Sequence, residues 1–361
     1  MISKRFNLLV AVSILFTTWS VAQNKTFSFN EVYSVSDSPQ LTISTNDGDV
    51  EVFPSTKNEI EVFYIVERNN EVLKISPKEL EEEFIVEIAS GRDYLNISVR
   101  DRYQYRVRDW KNRLNVSFEI YTPMKTSGDI QTSDGNIRIT GLNADQKLHT
   151  SDGDVEVTKI NGDVNARTSD GDITIERIVG DVESVTSDGD IKIRNVEGRV
   201  DGRTSDGDVD VVDIKGSIDL VTSDGDVNAE AVVGDIDLTS SDGDLRVDLS
   251  EGRMILNTSD GDISFKNISG EMKARTSDGE IKGNVIKLTG DLELRTSDGN
   301  ITVSVPGDMG LDLVLRGESI KTMLDNFSGT SKDHLVEGEI KGGGNLVQLH
   351  ASDGHVILSY N

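Results

Sequence analysis

The phrase Thr-Ser-Asp-Gly, or a close variant, begins at Thr132, Thr150, Thr168, Thr186, Thr204, Thr222, Ser240, Thr258 and Thr276, every step being 18 residues. Another copy, at Thr296, follows after 20, and outlying copies begin at Thr45 and Ala351. A fixed period of this length decides architecture before any local reading. Glycines recur at half the period, nine apart from Gly153 to Gly279. Apolar residues alternate just past the phrase, as Val155 and Val157 or Ile173 and Ile175, and a third follows at Ile160, Ile178 and Val196. Alternation with period two marks a strand with one buried face. One such strand cannot bury that face alone, whereas stacked coils bury a continuous column. The pattern predicts an all-β fold, a single-stranded parallel β-helix (β-solenoid) of 18-residue coils, right-handed because parallel connections wind that way. All five prolines lie outside residues 124–305, where each would delete a ladder hydrogen bond.

Within a coil the phrase reads as a turn. Val164, Ala166 and Thr168 alternate, so the threonine points inward with its hydroxyl in reach of a backbone carbonyl. Aspartate and glycine suit the corner, glycine by adopting positive φ. The expected turn ladder includes Asp152 and Gly153, Asp170 and Gly171, Asp188 and Gly189, Asp206 and Gly207, and Asp224 and Gly225. Stacking puts these aspartates in one column and Asp154, Asp172 and Asp190 in a second. Like charges ~5 Å apart repel by roughly 1–3 kcal/mol. Backbone N–H groups or bound cations would offset this, so loose Ca²⁺ binding is one alternative reading. No other cofactor is expected and no metal site is assigned, since the four histidines lack companion zinc ligands. Phosphate loops and nucleophile elbows are absent from the sequence.

The uniform coils leave no room in residues 132–288 for loops that would wall a cleft, which argues against an enzyme. A carbohydrate-active β-helix enzyme is the alternative. Outward Arg167 and Arg203 stand near Glu183, Asp201 and Asp219 in neighbouring coils, as expected of a cross-paired solvated face.

The two ends differ from the repeats. Residues 1–22 carry Lys4 and Arg5, an apolar run and Ser20-Val21-Ala22, the pattern of a secretory signal peptide. No second apolar run is long enough to span a membrane. The expected location is therefore outside the cytoplasm: periplasmic, cell-surface or secreted. The absence of cysteine excludes a disulfide scaffold. A net charge of −27 disfavours nucleic acid as a partner. Residues 23–125 hold most of the aromatics and read as a β-rich capping region, with a short helix signalled by Ser76, Pro77 and Glu79. Tyr103, Tyr105, Arg106, Arg108 and Trp110 lie in one basic, aromatic stretch and are the candidate binding residues. Phe265, the one aromatic between Ile130 and Asn300, is turned inward by the repeat phase. Residues 126–305 form the repeat body. Residues 306–361 form C-terminal rungs and a cap, with 317–335 read as a loop or partial cap.

The repeated TSDGDI/V, the early TNDGDVEVF, the junction YTPMKTSGDIQTSDGNI and the closing GGGNLVQLHASDGHVIL resemble a bacterial family. It is the candidate-adhesin family of β-strand-repeat proteins of unknown function, related to head-GIN-domain auto-transporter adhesins. The resemblance implies a β-helix exported by bacteria and supplies no catalytic residues. The resulting expectation is an exported, non-enzymatic adhesin or binding and scaffold protein of the cell envelope. Its partners would be an envelope polymer, a glycan or a surface protein.

Overall fold

Each 18-residue unit turns twice, and the strands between turns pair with their equivalents one unit away. The computed structural model describes residues 26–102 and 113–361. The expected signal peptide and the five candidate binding residues Tyr103, Tyr105, Arg106, Arg108 and Trp110 lie outside the described residues. Strand Val155–Asn161 pairs in parallel with Ile137–Thr140 on one side and Ile173–Val179 on the other. Strand Val164–Arg167 pairs likewise with Gln146–His149 and Val182–Val185. The register advances by 18 at each step, so inward residues stack on inward residues. Val155, Val157, Ile160, Val164 and Ala166 are at most 2% exposed, as are Ile173, Ile175, Ile178 and Val182 one unit on. The result is a long all-β stack with one continuous core.

Large and small inward residues compensate along the columns. Phe265 is 1% exposed and neighbours Gly283 in register. A Cβ on Gly283 would stand 2.3 Å from Cδ2 of Phe265. Leu220 similarly covers Gly202. Such pairing holds the column at native packing density.

Stack order departs from chain order at both ends. The outlying phrase at Thr45 is in register with the rest. Strand Gln40–Ser44 lies between Tyr94–Asp101 and Ser127–Gln131, and Val50–Ser55 lies between Asn115–Pro123 and Ile137–Thr140. A coil inside the expected capping region therefore belongs to the stack. Beyond it the pairing turns antiparallel: Phe84–Ser90 lies on Tyr94–Asp101, and Glu59–Arg68 on Asn115–Pro123. The short helix is Pro77–Glu83, with the Ser76 and Glu79 capping box formed and Leu80 buried. At the other end residues 317–335 are not a loop. They contain the strands Ser319–Thr322 and Phe327–Lys332. Gly329, in the second, packs directly against Gly338, so low apolar content conceals a close strand pair.

Candidate functional site

The repeated corner is built by three groups. Thr168 donates its hydroxyl proton between the carbonyl oxygens of Ser151 and Gly153 in the preceding coil, both at 3.0 Å. The same oxygen accepts the Gly171 N–H at 3.3 Å. Thr150, Thr186, Thr204 and Thr222 repeat the arrangement, and Ser240 does so with its hydroxyl alone. The inward threonine thus clamps one coil to the next, as its alternation with Val164 and Ala166 implied.

The glycine does not act as expected. Gly171 lies outside the positive-φ region, as do Gly153, Gly189, Gly207 and Gly225. A side chain is excluded there by stacking: a Cβ on Gly171 would stand 2.0 Å from the Gly153 carbonyl oxygen. The left-handed conformation falls instead on Lys159, Arg177, Asn195, Asp213, Ala231, Leu249 and Asn267, one per coil with φ from 53° to 59°. Only Asn195, Asp213 and Asn267 there are residues that favour it, which left the position unmarked in the sequence.

The second aspartate column is held by backbone. Asp154 accepts the Asp172 N–H at 2.9 Å, Asp172 that of Asp190 at 2.9 Å, and Asp190 that of Asp208 at 3.0 Å. Burial raises the Asp190 pKa, but the Asp208 amide and Lys192 outweigh it and hold the carboxyl below its ordinary value. Charge-assisted bonds of this kind offset the repulsion between neighbouring coils. Asn136 accepts the Asp154 N–H in the same way at 2.8 Å, so the column needs an oxygen rather than a charge. Carboxylates of the first column, among them Asp152, Asp170, Asp188, Asp206 and Asp224, are exposed. Among the described residues no three acidic or histidine side chains are grouped closely enough to hold a metal ion.

The outer face is cross-paired as the charges implied. Arg167 meets Glu183 at 2.5 Å, Arg203 meets Asp201, and Arg199 reaches Asp201 at 3.3 Å. Glu183, Arg199 and Asp201 border an open groove of about 510 Å³ that runs along the stack from Gln40 to Asp201. Val164 and Val182 form part of its lining. On one side Asp145, Asp163 and Asp181 each accept the backbone N–H one coil on, at 2.9, 2.9 and 2.8 Å. On the other stand Lys147, Asn165 and Glu183. Gln146, 2% exposed, donates to the Thr126 and Ala144 carbonyls, and its Oε1 has no partner. Periodicity placed Glu183 and Asp201 on the outward face, but nothing in it distinguished this part of the face from the rest.

The profile of the Toastrack DUF4097 family matches residues 34–209 and 232–359. The chain belongs to the Toastrack DUF4097 family. Two solved structures are also similar. One is a candidate cell adhesion protein from Clostridium sporogenes, 10% identical, with 92% of this chain and 99% of that one covered at a TM-score of 0.19. The other is a candidate adhesin from Bacteroides fragilis, 12% identical, with 92% and 96% covered at a TM-score of 0.26. At such scores the likeness carries no statement about function. No curated protein matches the chain. Among the described residues no helix is long and apolar enough to cross a membrane.

Proposed function

We propose that this Toastrack chain is an exported, non-enzymatic binding or scaffold protein of the bacterial envelope, adhesin-like in use. Its coils would wind right-handed, with residues 126–305 as the repeat body and the antiparallel end strands as caps. The supporting observation is the groove beside Asp145, Asp163 and Asp181. It is long and open, and its carboxylates are held at one-coil intervals by backbone bonds. A surface of that kind suits an extended polar polymer or a strand of a surface protein better than a small substrate, for which an enclosed pocket is usual. Tyr103, Tyr105, Arg106, Arg108 and Trp110 form the second proposed contact.

The test is a glycan and envelope-polymer array probed with three full-length proteins. Asp163→Asn with Asp181→Asn removes charge while keeping an acceptor for each backbone N–H, as Asn136 does. Trp110→Ala with Tyr105→Ala removes the aromatics. Loss of binding in either double variant supports the reading and says which surface acts. Retention of every interaction by both variants contradicts the site assignment, and no array binding by the parent contradicts the polymer-binding role. Cell fractionation tests the location, and recovery of the protein in the cytoplasm overturns the proposal of export.

A further inference from the structure

The coil of residues 345–360 comes after its stack neighbours in the chain, yet lies between them. Strand Asn345–Ala351 is parallel to Ile281–Thr296 on one side and to Leu311–Arg316 on the other. Strand His355–Tyr360 lies likewise between Ile301–Val305 and Ser319–Thr322. Val347, Leu349, Ala351, Val356 and Leu358 of this coil are at most 2% exposed. Strand partners of the inserted coil thus all fall within residues 281–322. The chain reaches it through Gly342, Gly343 and Gly344, the first two at φ of 88° and 81°. Nothing stands within 4 Å of where a Cβ on Gly342 would be.

We propose that the slot between these neighbours accepts the 345–360 coil of a second copy of this chain, so that two copies assemble by exchanging it. The inserted coil pairs on both sides with strands that precede it in the chain, so the slot it fills is lined entirely by earlier residues. A second copy's coil would meet the same backbone donors and acceptors and the same apolar columns, so exchange sacrifices no pairing within the slot. Three consecutive glycines allow the connection to turn back or to extend. With no cysteine in the chain, no disulfide fastens the coil to its own copy. Reciprocal exchange closes a two-fold dimer, and its yield depends on protein concentration.

Thr302 and Ile357 face each other in register across the slot, and Ile357 is 39% exposed. Full-length Thr302→Cys and Ile357→Cys proteins are unfolded, mixed, refolded together and oxidised. The expected product is a disulfide-linked heterodimer whose yield rises with protein concentration. A Lys192→Cys and Ile357→Cys mixture measures accidental cross-linking. The double variant Thr302→Cys/Ile357→Cys on one chain checks that the pair can bond. An internal disulfide in the double variant, with no heterodimer above the accidental level, overturns exchange. Sedimentation of the unaltered chain, refolded over the same concentrations, is the second readout. A concentration-dependent dimer supports exchange, and monomer alone at every concentration overturns it.

Discussion

Thr168 Oγ1 lies 3.0 Å from the carbonyl oxygen of Gly153, fifteen residues earlier in the chain and one coil away in the stack. The phrase that dominates the sequence is therefore an inter-coil fastening. Thr168→Val keeps the shape but leaves the Gly171 N–H and two carbonyls without this hydroxyl. It should cost about 1–3 kcal/mol. Thr168→Ser should cost less, since Ser240 holds the same bonds. Denaturant unfolding of both variants checks the order, and equal stabilities would contradict the role given to the hydroxyl.

Gly171→Ala should cost about 2–4 kcal/mol through collision with the Gly153 carbonyl. Gly171→Asn should be no better. Asparagine would relieve the cost if the glycine were needed for positive φ, because it tolerates that region. Thermal unfolding of the two variants separates the explanations: rescue by asparagine would restore the conformational one.

Leu249 is 56% exposed and sits at φ of 53°. Leu249→Asn should stabilise the protein by about 1 kcal/mol, since the left-handed conformation is costly for leucine and tolerated by asparagine. A melting temperature that is unchanged or lower would show that the backbone there is relaxed for leucine.

Burial, and then the charge of Asp219 one coil away, raises the Asp237 pKa, with Arg253 opposing. A group whose folded pKa is raised contributes stability that is full below its unfolded pKa and is lost as pH rises through the folded value. Asp237→Asn should therefore raise Tm at neutral pH and leave it nearly unchanged near about pH 3, where the aspartate is protonated. Calorimetry at both pH values checks this, and an equal gain at both would mean the effect is not electrostatic.

Features that repeat in register were legible from sequence. Thr168 facing inward, Phe265 buried and the Ile160 series in the core all follow from counting. The Ser76 and Glu79 capping box was legible because it is local. The placement of Thr45 in the same corner ladder, and of the Ala351 rung between earlier segments, was not, since each joins the stack next to segments far away in the chain. The left-handed residue before each second corner was hidden because lysine, arginine, alanine and leucine also occupy it. Bonds from Asp154 and Asp163 to the next coil's backbone were not visible either, because an outward aspartate looks the same whether or not its carboxylate is engaged.

Spin-label distances test the central claim most directly, because the chain has no cysteine and introduced labels are unambiguous. Glu156, Asn228, Ser264 and Lys282 belong to one outward column that advances by 18 residues per coil. Cysteine pairs joining position 156 to 228, 264 and 282 span four, six and seven coils. Pulsed electron paramagnetic resonance should give distances near ~19, ~29 and ~34 Å, rising by about 4.8 Å per coil. Distances that fail to grow with the number of coils would contradict the stacked array and the inter-coil clamp built on it.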